Sequence, residues 1–287
     1  MSIYEPVKAL EYCEAEVTKK DIGHYIHGRF LPPEIRPYYY AVHALRLEML
    51  KTRESMQNST LKSGKLTWWL ENLEGIWDGT PAMEPISIAL KELRKYHIVR
   101  KSHFERMIRG RLQETDIKTW ENLDWFIDNN YTMSFYILLE LFHLYEETEF
   151  QAATFAGRSW GIYNLLLMTK YYLDRGRCYL PEELLIKHSL PLSVTIEDET
   201  NQTNKVPESF YDVVLEVATY GKKNLEKARE YTLPKHANLV FLPLVEAEKF
   251  YNRLEKHNFN VLDPKALRSP WASVFWKMTR HLKRGTF

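Results

Sequence analysis

From Tyr40 onward, apolar residues recur three and four positions apart. Tyr40-Ala41, Ala44-Leu45 and Leu47-Glu48 set the rhythm of a buried helix face. Leu66 to Leu70, Leu73 and Ile76-Trp77 continue it until Gly79 and Pro81 stop the helix. Ile86 to Tyr96 and Phe104 to Leu112 read as two more helices. Trp120 through Leu144 reads as one long helix, with Leu123, Phe126, Ile127, Tyr131 and Phe135 on one side. Ala152 to Leu173 is apolar almost all round, which predicts a central helix buried on most faces. Helices resume at Ser209 to Tyr231, Leu242 to Lys256 and Trp271 to Lys283. Between them Ile196 to Glu208, rich in Glu, Asp, Asn and Thr, reads as a surface loop over 196–208. Nothing in the pattern asks for a sheet. The expectation is an all-α bundle forming a single domain over residues 1–287.

The length of 287 residues is enough to bury one sizeable core, and 45% hydrophobic with 27% charged residues excludes a disordered chain. Eleven glycines are few for a nucleotide-binding α/β fold with Gly-rich phosphate turns. A balance of 39 basic against 38 acidic residues leaves a net charge of +1, so no global field holds a polyanion and nucleic acid is not an expected partner. Cys13 and Cys178 suit neither a zinc site nor a redox pair, and a reducing compartment is the default. No stretch approaches the roughly 18 to 20 apolar residues that cross a bilayer, since Glu140 and His143 interrupt the longest one. The first twenty residues carry Glu5, Glu11, Glu14 and Glu16, so an Arg-rich, acid-poor transit peptide is not visible.

Four constellations bear on chemistry. His24 and His27 share one face of a helix as metal ligands often do, with Asp21 as the one nearby acid; the alternative is a pair of surface or capping histidines. Asp124 and Asp128, at i and i+4, present two carboxylates that suit Mg²⁺ or, equally, a solvated helix edge. Lys91, Arg94, Lys95, Arg100, Lys101, Arg106, Arg109 and Arg111 are diluted by only Glu92 and Glu105, which predicts a positive surface for anionic lipid, acidic protein or phosphate. The last helix pairs Trp271, Val274, Phe275, Met278 and Leu282 with Lys277, Arg280, Lys283 and Arg284, a basic amphipathic pattern suited to a membrane surface or to packing on the bundle. Nucleophile elbows and Walker or dinucleotide fingerprints are absent from the sequence.

Gly176-Arg177-Cys178-Tyr179-Leu180-Pro181 resembles the G-R-x-Y-L-P stretch of the squalene and phytoene synthases, head-to-head prenyl-diphosphate synthases. Asn164 falls where that family has the Asn of its second aspartate motif. Tyr40 to Leu45 looks like the segment that opens the first, and Phe241-Leu242-Pro243 with Ala247 to Leu254 resembles the C-terminal region. The similarity runs from about Ala9 to Leu282 and implies the all-α isoprenoid-synthase fold, a bundle around a central cavity. The family's two aspartate motifs hold Mg²⁺ ions on substrate diphosphates, chemistry that needs carboxylate oxygens. Here the first motif aligns with Leu50-Lys51-Thr52-Arg53-Glu54, keeping one acid of three. In the second, Met168 and Tyr172 stand for the two aspartates and Leu167 for the Arg; Asp174 lies out of register. The resemblance therefore implies a degenerate site with no catalytic residue, metal or cofactor.

The chain looks closer to the branch of that family typified by mitochondrial complex I assembly factor 6, where the same motifs are eroded. The matching stretches are Gly28 to Glu34 leading into Ala41 to Glu54, Trp68-Trp69 through Ile76-Trp77, Ile86 to Ile98, and the acid Glu48. That resemblance implies a non-enzymatic scaffold in respiratory complex I assembly, on the matrix side of the mitochondrial inner membrane. Its partners would be complex I subunits or assembly intermediates, with peripheral contact to anionic lipid through Arg94, Arg100, Lys101, Arg106, Arg109, Trp271, Phe275, Lys277 and Arg280. A permanent accessory subunit and a non-catalytic lipid or isoprenoid binder stand as alternatives.

Overall fold

A computed structural model describes residues 5–55, 59–113, 116–192, 197–199 and 203–287; the side chains of 53–55, 59, 197–199 and 203–205 are outside the description. The chain forms two compact units, each assembled from three separate stretches of sequence.

The first unit takes residues 1–114, 129–150 and 233–243. Its helices include α1 (Pro6–Lys20), α2 (Ile22–Gly28), α3 (Arg36–Ser55), α4 (Ser59–Asp78), α5 (Pro85–Tyr96) and α6 (Lys101–Leu112). Helix α1 starts on Pro6, whose missing N–H costs nothing in a first turn, and ends on Lys19 and Lys20, which complement the helix dipole. Its buried stripe Ala9, Cys13 and Val17 repeats every four residues and packs on α3 and α5. Glu84 caps α5 by accepting from the Ile86 and Ser87 amides. Helix α4 ends at Asp78, one residue before Gly79, where the sequence predicts a stop.

The second unit takes residues 115–128, 151–232 and 244–287. It holds α7 (Trp120–Ile127), most of α9 (Glu147–Leu167), α10 (Thr169–Leu173), α11 (Glu182–Lys187), α12 (Glu208–Arg229), α13 (Pro243–Lys256), α14 (Pro264–Leu267) and α15 (Trp271–Arg284). No residue from Ala152 to Leu173 is exposed, in keeping with a helix apolar almost all round. The helix begins earlier than its apolar run, at Glu147, and breaks at Met168. Gly161 brings α9 against α7: a Cβ there would sit 2.3 Å from Ile127 Cγ2.

Two expectations need correction. The run from Trp120 to Leu144 is not one regular helix. A π-helical turn over Asp128–Thr132 separates α7 from α8 (Met133–Leu141), and Asn129, Asn130 and Thr132 in it are buried. Apolar periodicity cannot register one extra residue in a turn, because the positions beyond it still fall on a buried face. The polar stretch at 196–208 is also more than a loop: β1 (Glu197–Glu199) and β2 (Thr203–Lys205) pair antiparallel with Glu197 opposite Lys205. Alternating polarity is missing from such a short ribbon, so no strand signal is there to read. The architecture remains all-α beside this two-stranded ribbon, and among the described residues no helix is long and apolar enough to cross a membrane.

Candidate functional site

In the first unit, α2 and α3 gather three histidines. Asp21 caps α2 by accepting from the His24 amide at 3.1 Å, and its other oxygen lies 2.9 Å from His24 Nδ1. Arg46, one turn beyond His43 on α3, pairs with the same carboxylate and reaches His43 Nδ1 through Nε at 3.3 Å. His43 in turn lies on His24, with ring centroids 3.8 Å apart, and His27 meets His24 edge-on at 5.6 Å. His24 and His27 are 3% and 2% exposed, which removes the reading of surface histidines; the capping belongs to Asp21. Burial pushes the pKa of all three rings below the ordinary histidine value, so at neutral pH they are uncharged. Burial works to raise the Asp21 pKa, but His24 and Arg46 outweigh it and hold the carboxylate ionised. His24 and His43, with Tyr39, Ser134, Phe135 and Leu138, line a pocket with only about 10 Å³ of interior space. That is smaller than the roughly 300 Å³ at which small-molecule sites begin.

The sequence pointed to His24, His27 and Asp21 but missed His43 and Arg46. An Arg three residues after a His, inside an otherwise apolar helix face, is the signal that would have found them. Leu50 and Lys51 lie one turn further along α3, Leu50 half-buried and Lys51 exposed; the side chain of Glu54 is outside the described residues. Glu48 pairs with Lys65 of α4.

In the second unit, the Gly-Arg-Cys-Tyr-Leu-Pro stretch follows α10. Gly176 has φ +66°, the left-handed conformation that a helix end takes with least strain at glycine. The Arg177 amide then reaches back to the Tyr172 carbonyl at 3.0 Å, closing the turn. Tyr179 packs edge-on to Tyr172, with centroids 4.4 Å apart, and stacks on Phe126 at 5.7 Å. Leu180 is buried, and past Pro181 the Glu182 and Glu183 amides bond to the carbonyls of Ile117 and Lys118. Within the motif, Gly176 thus shapes the turn, and Tyr179 and Leu180 pack inward. Asn164 bonds the Trp160 carbonyl one turn back. Of the positions aligned with the second aspartate pair, Met168 is half-buried and Tyr172 is buried. Asp174 is exposed and pairs with Lys170 at 3.5 Å.

Asp124 and Asp128 share a face as predicted, and a cation lies between them. Arg158 of α9 reaches Asp124 through Nη1 at 2.8 Å and Asp128 through Nη2 at 2.8 Å and Nε at 3.2 Å. Tyr220 of α12 donates to both oxygens of Asp124, at 3.0 and 2.8 Å. Burial raises the Asp124 pKa despite Arg158 and the tyrosine. Among the described residues, no group of three or more His, Cys, Asp or Glu side chains could hold a metal ion. Arg158 was overlooked in the sequence, although one arginine in a helix apolar almost all round needs an acidic partner.

The two basic faces survive in altered form. In the first unit, Lys91, Arg94, Lys95, Arg100, Arg106 and Arg109 are exposed, but Arg111 is 2% exposed, with its guanidinium 5.8 Å from the Tyr131 ring. Charge counting along a helix does not reveal which side each residue faces. Arg100 pairs with the buried Glu140 at 3.1 Å, Lys101 with Glu74 and Glu105, and Arg106 bonds Asn129. In the second unit, α15 buries Val274 and Met278. Phe275, expected with them on the apolar stripe, is instead 48% exposed beside Trp276 at 64%. Lys277 pairs with Glu248 of α13.

Comparison with known proteins agrees with this architecture. Human NADH dehydrogenase (ubiquinone) complex I, assembly factor 6 is 26% identical over 260 residues, covering 88% of this chain and 76% of that protein. The assembly factor 6 homolog of Dictyostelium discoideum is 24% identical, covering 85% of this chain and 69% of that one. Among solved structures, a dehydrosqualene synthase in complex with ligand superposes with a TM-score of 0.78 at 17% identity, covering 97% of this chain and 98% of its own. A squalene synthase from Alicyclobacillus acidocaldarius gives 0.75 at 15% identity, covering 89% and 96%. The squalene/phytoene synthase family model matches residues 17–272, nearly the full span over which the motifs were read, and the chain belongs to that family.

Proposed function

We propose that this chain is a non-catalytic member of its family, acting as one synthase-like domain in the assembly of respiratory complex I. Its place is the matrix side of the mitochondrial inner membrane, where it scaffolds a partner subunit or an assembly intermediate. The observation that carries the reading is the chemistry at the aligned aspartate positions. Leu50, Lys51, Met168 and Tyr172 offer no carboxylate to a hard cation, and Lys51 adds a positive charge where diphosphate-bound Mg²⁺ needs a negative one. The Gly-Arg-Cys-Tyr-Leu-Pro stretch keeps structural roles, a left-handed turn at Gly176 and ring packing at Tyr179, which supports a fold that persists without the ionising site. The relatives named complex I assembly factor 6 support the choice of pathway.

Native-gel complexome profiling of mitochondria tests the proposal. The chain is expected to migrate with a partial complex I and to be absent from the finished one. Comigration with the mature complex at fixed stoichiometry would make it an accessory subunit. Absence from mitochondria, together with Mg²⁺-dependent turnover of a prenyl diphosphate by the purified chain, would sink the reading.

A further inference from the structure

Helix α15 has no acidic residue between Trp271 and Arg284, and its last turn carries His281, Lys283 and Arg284. The inward stripe of Val274 and Met278 fixes which side faces out. On that outer side Trp276 is 64% exposed, with the Arg280 guanidinium 4.5 Å from its ring centroid, and Phe275 is exposed beside it. Two neighbouring large aromatics left in water, among cations, are the pattern of helices that rest in a bilayer interface.

Next to them an open concavity of about 430 Å³ is lined by Lys249 of α13 and by Ser273, Trp276, Lys277 and Arg280 of α15. Lys249 donates to the Ser273 hydroxyl, and Lys277 is held by Glu248, which also binds Arg229. Burial first, then the nearby charges of Lys277 and Arg253, pull the Lys249 pKa below its ordinary value. An anion entering the concavity would relieve that crowding of positive charge.

We infer that this concavity seats the phosphate of an anionic phospholipid, with Phe275 and Trp276 entering the bilayer interface and α15 lying along its surface. The inference rests on the membrane-side reading above and gives it a site. Three cations and a hydroxyl match a phosphate. A soluble phosphate compound would leave the aromatic pair in water, whereas a lipid layer covers it. Lys249, Ser273 and Trp276 are the members that the sequence pattern did not single out.

The test uses the purified full chain and vesicles of phosphatidylcholine with or without phosphatidylglycerol. Co-flotation is expected only with the anionic vesicles, weakening as salt rises. The double variant Lys249→Glu/Arg280→Glu is expected to weaken it by roughly ten-fold or more. Lys249→Gln/Arg280→Gln, which perturbs folding less, is expected to show a smaller loss in the same direction, with unchanged thermal unfolding. Phe275→Ala/Trp276→Ala is expected to lose the blue shift of tryptophan emission on vesicle addition. Equal flotation of wild type and both charge variants would overturn the site. A saturable emission change with inorganic phosphate alone, matching that with vesicles, would make it an ion site and overturn the lipid assignment. So would failure to float combined with loss of the complex I intermediate in the charge variants, which would mark a protein interface. Flotation needs no complex I, so it can fail while comigration with an intermediate stands, and the reverse.

Discussion

Arg158 grips Asp128 through two nitrogens, Nη2 to Oδ2 at 2.8 Å and Nε to Oδ1 at 3.2 Å, the side-by-side geometry of a strong guanidinium–carboxylate pair. Its remaining nitrogen holds Asp124, to which the Tyr220 hydroxyl also donates. Helices α7, α9 and α12 are thus joined through one cation in the place where two carboxylates would otherwise repel.

Arg158→Ala should therefore lower stability by about 2 kcal/mol, less than for a fully buried pair because both carboxylates keep some contact with water. Asp124→Asn added to that variant should recover part of the loss by removing one unpaired charge. Urea denaturation of the single and double variants measures both effects. An Arg158→Ala protein as stable as wild type would show that the cluster is held from elsewhere.

The histidine group of α2 and α3 gives the chain an acid sensitivity above the carboxylate range. Burial lowers the pKa of His24, His27 and His43 in the folded state, so an unfolded chain takes up protons first as pH falls. Stability is full above the ordinary value of 6.5 and declines below it, by up to about 1.4 kcal/mol per pH unit for each ring. Asp21 moderates the loss at His24, whereas Arg46 adds to it. Denaturation midpoints from pH 7 to 5 should fall, and His27→Gln should flatten the slope. Identical slopes in the two proteins would mean that His27 is protonated without unfolding.

Gly161 is a tight contact rather than a flexible point. An alanine Cβ there would meet Ile127 Cγ2 at 2.3 Å and Cγ1 at 3.0 Å, and a β-branched side chain has little room to turn away. Gly161→Ala should cost about 1–3 kcal/mol despite alanine's better helix propensity. Ile127→Ala in the same chain should return part of it, as measured by thermal unfolding. A stabilised Gly161→Ala would mean that α7 shifts freely on α9.

Much of this fold is written in periodicity. Ala152 to Leu173 reads as buried on most faces because it is apolar almost all round, and none of its residues is exposed; Gly79 marks the end of α4. The π turn at Asp128 escapes because burial continues through it. The clusters escape for another reason: Arg158 and Asp124, or His43 and His24, meet only across helices, and spacing along one helix says nothing about its neighbour. The Asp124 and Asp128 pair shows the consequence, since its face was legible and the arginine on that face was not. Phe275 shows the same limit on a surface, where one position around a helix decides between core and solvent.

Glu248 of α13 binds Arg229 at 2.6 Å and also Lys277 of α15. Burial acts to raise its pKa, but hydrogen bonds and charge from those two cations outweigh it and hold the carboxyl down to about 2, from an ordinary 4.5. A carboxylate shifted down contributes stability that is complete above its unfolded value and is lost as pH falls toward its folded one. The window here is pH 4.5 to 2, and the full contribution is on the order of 3 kcal/mol. Glu248→Gln should be less stable than wild type at pH 7 by up to that amount, and the two should converge near pH 2. Because other carboxylates titrate in the same range, the difference between the two proteins is the quantity to follow, by urea denaturation at several pH values. A constant difference across that window would show that α13 and α15 are held by Val274 and Met278 packing alone, with the ion pair contributing nothing.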